Sequence, residues 1–360
     1  EDGINRQSDA VIRDHSPIAV GDPVTLKHVE NYVDFLNRHP RRRIDAALSP
    51  SDKPGEIIFD YLIYDAKPWL AYVQTSNTGT EGTTEWRKQV GAIHYDLTGA
   101  DDILSINYAG GDFDATHAAS ISYERPFADA PRWRWRVFGD WSRYDASEVG
   151  LPGVSFQGET WGAGGELLWN FKQSDGWFFD LIGGARFRNA MTDNAFASLT
   201  GDTDYLIPYV GLRVENREAD SATTGQMMFE TNLPNMAGTD RNQVQRLGRT
   251  GADDQWVVFR QEASHAFYLD TLHNDQTGRV ENHRPLVNEL LATMRGQVVL
   301  GDERLPTNYT SAIGGFYSVR GYPEVFASAD NSVVGTLEYR YHLPRGLSPN
   351  PQAGRLFDSP

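Results

Sequence analysis

The sequence predicts a mainly β fold, a transmembrane antiparallel β-barrel preceded by a partial α/β domain. Three observations carry this prediction. From Trp69 onward, apolar and polar residues alternate in one segment after another. Aromatic residues make up 12% of the chain, and membrane barrels use such residues for the girdles at both membrane interfaces. Short and long polar connections alternate along much of the chain, as the turns and surface loops of such barrels do.

Residues 1–66 are predicted to form the α/β part. Asp22-Pro23 offers a helix N-cap followed by a proline of the first turn. Helical spacing predicts one buried apolar stripe, formed by Leu26, Val29, Val33 and Leu36. Pro40 is expected to end this helix. Strands are expected at 43–48 and 56–65, with a segment of turn composition between them.

Residues 67–360 are predicted to form the barrel, truncated at its C-terminal end. We count about twelve strands of about ten residues, each with an apolar and a charged face, as expected for strands between lipid and a lumen. The clearest apolar faces are Leu104, Ile106 and Tyr108; Trp133, Trp135 and Val137; Trp161, Ala163, Gly165, Leu167, Trp169 and Phe171; Leu206, Val210, Leu212 and Val214; Leu290, Ala292, Met294, Val298 and Leu300; and Leu337, Tyr339, Tyr341 and Leu343. A soluble sandwich also alternates, but its strands are usually shorter, about five or six residues.

The connections predict which end of the barrel each turn occupies. Short connections are expected near 97–101, 126–131, 172–176 and 217–221, and long ones near 143–155, 189–203, 234–254 and 301–330. The alternation fails at 110–115, which is short, and at 271–286, which is long. No stretch approaches the roughly 18 consecutive apolar residues of a membrane helix. If this chain spans a membrane, it must therefore do so as a closed barrel. Within lipid, only helices and closed barrels provide hydrogen-bond partners for all backbone N–H and C=O groups.

Charge and motifs argue against several classes of function. The formal net charge of −16 disfavours nucleic acid as a partner. The absence of cysteine excludes disulfides, thiolate catalysis and cysteine-ligated metals. The sequence contains neither the zinc-protease helix motif nor the serine-hydrolase elbow. Glu338 and His342 share the polar face of one strand, which a wet lumen explains better than an acid/base pair. We expect no enzyme activity, no cofactor and no metal.

The strongest local feature is the segment 314–324, which lies in the longest predicted loop. Its candidate functional residues are Gly314, Gly315, Val319, Arg320, Gly321 and Tyr322. Surface loops rarely carry this many apolar residues around a single arginine, so we expect the segment to be buried. A buried arginine requires a carboxylate or carbonyl partner. A loop that folds back into the barrel lumen would satisfy both needs.

These residues carry a family resemblance. Val319-Arg320-Gly321-Tyr322, preceded by Gly314-Gly315, resembles the signature of polypeptide-transporting outer-membrane barrels, and within them that of the two-partner secretion transporters (the TpsB, or haemolysin-activator, family). Residues 36–40 and 50–55 are similar to the last periplasmic POTRA domain of that family. Residues 67–79 resemble the entry into its first barrel strand, and 97–102 the turn between its second and third strands.

The resemblance runs from about residue 15 to residue 343 and implies a fragment. Family members have sixteen strands, with the signature loop after the eleventh, whereas we count eleven strands before Arg320 and one after it. The chain would then contain about 12 of 16 strands and lack the first POTRA domain, the start of the second and the plug helix. Residues 1–66 would be a partial POTRA-like periplasmic domain. Where the family often has a Gly-Asp-x-Gly step, this chain has Asp330-Asn331-Ser332.

By resemblance, the intact protein lies in the outer membrane of a Gram-negative bacterium, with its POTRA part in the periplasm. It would bind one unfolded exoprotein through the POTRA region and translocate it to the cell surface. Outer-membrane lipid, periplasmic chaperones and the barrel-assembly machinery are its other implied partners. Arg320 would hold the long loop in the lumen, with a carboxylate partner beyond residue 343. A barrel-assembly factor, a small-solute porin and a soluble carbohydrate-binding β-protein remain as alternatives.

Overall fold

The computed structural model shows two parts, a small N-terminal unit and a large antiparallel sheet. The structure describes residues 12–78, 85–111, 116–147, 155–194, 199–218, 220–272, 286–315, 318–323 and 325–343. Phe316, Tyr317 and Glu324 of the signature segment lie outside the described residues. Of the predicted barrel, so do residues 344–360.

In the N-terminal unit (residues 12–65), a helix packs on a two-stranded hairpin, and residues 12–14 are also helical. Helix α1 spans Leu26–Leu36, and strands β1 (Arg42–Pro50) and β2 (Ile57–Asp65) pair antiparallel. The buried side chains of its core are Ile12, Tyr32, Leu36 and Ile44. Ile44 is fully buried, and burial of such a side chain contributes about 1.5–3 kcal/mol. Asn37 joins helix to hairpin by two hydrogen bonds with the backbone of Ile44, of 2.6 and 2.9 Å.

The start of α1 differs from the prediction. The helix begins at Leu26 with Thr25 as its N-cap, and the Asp22 carboxylate instead accepts a hydrogen bond from the backbone N–H of Ala19 at 3.0 Å. Leu26 is exposed, while Tyr32 takes a place in the buried stripe. The aspartate closes a local turn before the helix, a conformation that competes with capping for short polar side chains.

The large sheet has twelve strands in one antiparallel order, and chain neighbours are sheet neighbours throughout. Its strands are β3 (Trp69–Ser76), β4 (Arg87–Tyr95), β5 (Ile103–Gly110), β6 (Thr116–Phe127), β7 (Ala130–Ser147), β8 (Ser155–Ser174), β9 (Trp177–Asn194), β10 (Leu199–Arg217), β11 (Ser221–Thr231), β12 (Val257–Tyr268), β13 (Asn288–Val299) and β16 (Ser332–Tyr341). Strands β14 (Ser311–Ile313) and β15 (Ala327–Ala329) form a separate hairpin. Eleven strands of the large sheet precede Arg320 and one follows it, which confirms the predicted order.

The facing of the strands agrees with the sequence pattern. Trp133 opposes Trp169 and Trp135 opposes Leu167 on one face, while Arg136 opposes Glu166 on the other. We call these the apolar face and the polar face of the sheet. The predicted and observed faces agree because side chains alternate strictly between the two faces of a strand. Once one residue is assigned to a face, the faces of all other residues of that strand follow.

Several strands are longer than predicted, and one predicted loop is wrong. Strands β7 to β10 have 18 to 20 residues each, against the ten expected. The loop expected at 189–203 is largely paired strand, since Asn189 opposes Asp204 and Asp193 opposes Thr200. Polar residues there extend a regular hairpin, because cross-strand backbone bonds do not depend on side-chain polarity.

The apolar face is open to its surroundings. Large apolar side chains with exposed fractions between 41% and 71% lie along it, namely Val90, Ile106, Ile121, Val137, Leu167, Leu181, Val210, Phe229, Met294 and Leu337. Soluble monomers rarely expose a continuous apolar area of this extent. Among the described residues, no helix combines the length and the apolar composition of a membrane span.

Candidate functional site

The predicted signature residues lie at the tip of the β14–β15 hairpin. The segment before this hairpin lies on the polar face of the sheet, where the Gln297 side chain donates 3.0 Å hydrogen bonds to the carbonyl oxygens of Tyr309 and Asp330. Ser332 at the start of β16 donates to Ser311 of β14 at 2.7 Å. These contacts place both ends of the long loop against the polar face of the sheet.

Glycine is required at the base of the tip. Gly314 has φ +121° and Gly315 has φ +84°, a region that residues with a Cβ rarely occupy. A Cβ on Gly314 would lie 2.2 Å from the carbonyl oxygen of Pro323. The N–H of Gly315 donates to the carbonyl oxygen of Tyr322 at 3.0 Å. The paired glycines therefore bring the two ends of the segment together.

Arg320 pairs with a carboxylate of the last strand. Its Nη2 lies 2.9 Å from Oε2 of Glu338 on β16. The polar-face neighbour Arg340 donates to the same carboxylate, with Nε to Oε1 at 2.7 Å. The partner predicted by resemblance lies beyond residue 343, whereas the structure provides one at Glu338. The pair ties the loop tip to β16 across 18 residues of sequence.

The expected burial of the segment is not found. The exposed fractions are 38% for Val319 and 52% for Tyr322, and 58% for the Arg320 side chain. The ring of Tyr322 contacts that of Phe326 at an angle of 52°, with centroids 4.7 Å apart, and Phe326 is itself 63% exposed. The tip rests on β16, which is an edge of the sheet among the described residues, so few side chains are available to cover it.

Two long loops build an apolar core on the polar face. Helices α2 (Pro234–Ala237) and α3 (Arg241–Arg246) lie in the loop between β11 and β12. The buried residues of this core are Ala190, Tyr205, Ile207, Val244, Leu247, Ala252, Trp256, Val258, Val299, Leu305 and Tyr309. Trp256 packs on Tyr309 with ring centroids 4.7 Å apart. The loops therefore occupy space above the polar face instead of extending into solvent.

An ion pair joins these two loops to each other. The guanidinium of Arg249 donates to both carboxylate oxygens of Asp330, the Nη2–Oδ2 distance being 2.8 Å, and to the carbonyl oxygen of Leu305 at 2.7 Å. The hydrogen bond from Arg249 lowers the pKa of Asp330. Asn331 accepts from the N–H of Val299 at 2.7 Å. Asp330-Asn331, where the sequence departs from the family pattern, thus joins both loops to β13.

Carboxylates balance several arginines along the polar face. Arg136 contacts Glu166 at 2.9 Å, Arg186 contacts Glu230 at 2.6 Å, and Arg188 contacts Asp140 at 2.9 Å. Each pair bridges two strands. A polar face with paired charges is suited to line a hydrated channel and unsuited to a dry core, where such pairs are costly.

Three arginines of the N-terminal unit, the docking arginines Arg38, Arg41 and Arg42, contact carboxylates at one end of the sheet. Arg38 contacts Asp180 at 2.6 Å and Glu215 at 3.2 Å. Arg41 contacts Asp96 at 2.6 Å and Arg42 contacts Asp101 at 2.8 Å. Asp96 and Asp101 belong to the short turn between β4 and β5, so the N-terminal unit lies against the end of the sheet that carries the short turns.

Sequence reasoning missed this contact. The sequence predicts only a short connection at 97–101, and Asp101 does adopt a left-handed conformation there with φ +56°. The cluster of basic residues from Arg38 to Arg43 was a signal that an acidic surface lies opposite. His39, between the docking arginines, is buried against Tyr95, with ring centroids 6.3 Å apart. Burial lowers the pKa of His39.

The fold and the position of these loops can be compared with solved structures. CdiB from Escherichia coli superposes with a TM-score of 0.68 at 16% identity, covering 94% of this chain and 58% of that chain. CdiB from Acinetobacter baumannii gives 0.63 at 17% identity, covering 90% and 56%. The chain has the fold of a transmembrane antiparallel β-barrel. The polar face is therefore the lumen face, and the apolar face is the lipid face.

BamA from Haemophilus ducreyi lacking POTRA domains 1-3 gives a TM-score of 0.52 at 13% identity, covering 94% of this chain and 65% of that chain. The fold that the family resemblance implies, a transmembrane antiparallel β-barrel, is therefore confirmed. The chain spans a little over half the length of the two CdiB chains. No family model and no curated protein matches the sequence.

Proposed function

We propose that the intact protein carries an unfolded polypeptide across the outer membrane of a Gram-negative bacterium. The observation that carries this proposal is the position of the 301–330 loop, which lies on the lumen face with Arg320 on Glu338. The tip of this loop is held on β16 by a partly exposed ion pair, and an incoming chain can displace it, since such pairs contribute little each. Displacement of the tip would open space along the lumen face for an extended polypeptide.

A two-partner secretion transporter is the favoured form of this function. The two CdiB structures superpose at TM-scores of 0.68 and 0.63, above the 0.52 of BamA. The partner would be one secreted exoprotein of the adhesin or haemolysin type, bound in the periplasm through the POTRA-like N-terminal unit. Outer-membrane lipid, periplasmic chaperones and the barrel-assembly machinery would be its other partners. The protein would not be an enzyme.

A barrel-assembly factor is the second candidate, and the likeness to BamA across 94% of this chain favours it. The two functions differ in what is lost when the gene is removed. Loss of a secretion transporter removes one protein from the cell surface. Loss of an assembly factor lowers the amount of many outer-membrane barrels at once.

The test is a deletion of the full-length gene followed by quantitative proteomics of the medium and the outer membrane. We expect one secreted protein, encoded beside this gene, to disappear from the medium while other barrels keep their abundance. General depletion of barrels would support the assembly factor. Unchanged secretion with reduced uptake of small solutes would identify a porin and contradict the proposal.

A further inference from the structure

A groove lies where helix α1 meets the rim of the barrel. Its volume is about 570 Å³, and it is lined by residues that include His15, His28, Phe35, Arg132, Trp133 and Trp169. Helix α1 is held there by contacts with the β8–β9 turn. Gln173 donates to the carbonyl oxygen of Asn31 at 2.6 Å, and Lys27 lies 3.6 Å from Asp175.

One wall of the groove is aromatic. Trp133 and Trp169 stack with their rings 7° from parallel and their centroids 5.0 Å apart, and each is 37% exposed. Both belong to the lipid face, near the short turns that lead into β7 and β9. Tryptophans at this height form the girdle at the membrane–water interface, where lipid headgroups lie.

The other wall is formed at the rim by Arg132, which precedes Trp133 in β7 and therefore lies on the polar face of that strand. Its charge has no carboxylate partner within the described part of the chain. Arg132 donates from Nη1 to Asn170 at 2.5 Å and from Nη2 to Gln173 at 3.2 Å. Its guanidinium also lies over the ring of Phe35, 5.0 Å from the centroid. All these partners are neutral, so they fix the position of the charge without compensating it. A guanidinium has five N–H donors, so donors remain for a ligand.

Charge and shape together identify the ligand class. We propose that this groove binds the phosphate headgroup of one phospholipid of the inner leaflet, with an acyl chain along Trp133 and Trp169. Arg132 donates to the phosphate oxygens, for which the planar guanidinium is well suited. The imidazole of His28, exposed on α1, supplies a further donor. The lipid would thereby bridge the N-terminal unit and the barrel wall.

The proposed lipid site requires that the barrel spans a membrane, and it does not require that the protein exports a polypeptide. Its test uses the purified full-length protein in detergent, titrated with short-chain phosphatidylglycerol and followed by native mass spectrometry. We expect one lipid bound with higher affinity than the rest. Arg132→Gln should weaken that site about tenfold, as loss of a charge-assisted pair does, and His28→Asn about threefold.

Arg43→Gln is the control, because Arg43 belongs to the N-terminal unit, as His28 does, lies outside the groove and has a side chain that is 77% exposed. It should leave the affinity unchanged. His28→Asn keeps the test valid if Arg132→Gln fails to fold, since His28 is exposed. The proposal is overturned by equal losses in all three variants, by unchanged binding in Arg132→Gln and His28→Asn, or by inorganic phosphate that binds as tightly as the lipid. None of these results bears on secretion.

Discussion

Arg42 forms a bidentate ion pair with Asp101 through its two terminal guanidinium nitrogens, with Nη1 to Oδ1 at 3.0 Å and Nη2 to Oδ2 at 2.8 Å. The two residues belong to different parts of the molecule, the N-terminal unit and the β4–β5 turn. The arginine side chain is 6% exposed and the aspartate side chain 24% exposed. A two-point pair in such a setting fixes orientation as well as distance.

We predict that Arg42→Gln loosens the N-terminal unit from the barrel without unfolding either. Loss of the bidentate pair should cost the docked arrangement about 1–3 kcal/mol. Hydrogen exchange of α1 and of the 96–102 turn should become faster in the full-length protein. Arg43→Gln is the control, because the neighbouring side chain is 77% exposed and pairs only locally with Asp45. Equal exchange in both variants would contradict the role of Arg42.

Docking should also depend on pH through His39. Burial lowers its pKa in the folded state, and the nearby Asp101 opposes this shift. The neutral imidazole is therefore favoured by folding. The stabilisation is complete above the unfolded value of about 6.5 and is lost as pH falls below it toward the folded pKa. We expect lower protection of α1 at pH 5.5 than at pH 7.5, with each exchange rate divided by the intrinsic rate at that pH, and a weaker pH dependence in His39→Phe. An unchanged pH dependence in this variant would exclude His39.

Adjacent residues of β13 test the two faces of the sheet. Met294 is on the lipid face and 43% exposed, while Thr293 opposes Thr336 on the lumen face. In the intact protein, Met294→Arg should destabilise the folded barrel by about 2–4 kcal/mol if it lies near the bilayer midplane. Thr293→Arg should have a much smaller effect. Folding titrations in lipid vesicles measure both, and the reverse order would mean that the faces are assigned the wrong way round.

The Arg320–Glu338 pair should affect transport more than assembly. Arg320→Ala removes a contact between the loop tip and β16, so the loop should leave the lumen more often while the sheet stays intact. We expect near-normal amounts in the outer membrane, altered single-channel conductance and much reduced secretion of the partner. Arg320→Lys should restore little of the secretion, because the lysine ammonium lacks the planar array of N–H donors of a guanidinium. Arg320→Glu combined with Glu338→Arg should restore part of the secretion if this pair is the one that matters.

The apolar core of the two inward loops should be the main barrier to conductance. Trp256 is 1% exposed and packs on Tyr309. Trp256→Ala should destabilise the loop core by about 3–5 kcal/mol and raise the conductance of the intact protein in planar bilayers. Met236→Ala is the control, since Met236 lies in the same loop and is 73% exposed. Equal conductance of the two variants would assign the barrier to other residues.

Much of the sheet could be predicted because its signal is local. Alternation along Leu104–Tyr108 or Trp133–Val137 reports which side chains share a face, and strands that follow one another in the chain pair side by side in the sheet. The loop at 189–203 could not be predicted in this way. Its polar residues looked like a loop, and only the paired backbone of β9 and β10 shows a strand.

The candidate site was predicted in part. The segment around Arg320 was identified from its composition, and the structure places Arg320 against Glu338 on the polar face of β16. Its partner Glu338 was noted only as a polar-face residue, since a contact between a loop and a strand leaves no periodic signal. The docking arginines were missed for the same reason, because Arg38 and Asp180 are 142 residues apart in sequence.

By itself, the sequence determined the strand order, the two faces of the sheet and the segment that carries the signature. These follow from a period of two and from local turn chemistry, which act between neighbouring residues. The tertiary structure decided where the long loops lie, which carboxylate each arginine meets and how the N-terminal unit contacts the rim. Those features depend on distances between residues far apart in the chain, and such distances are set only when the curved sheet brings its ends and loops together.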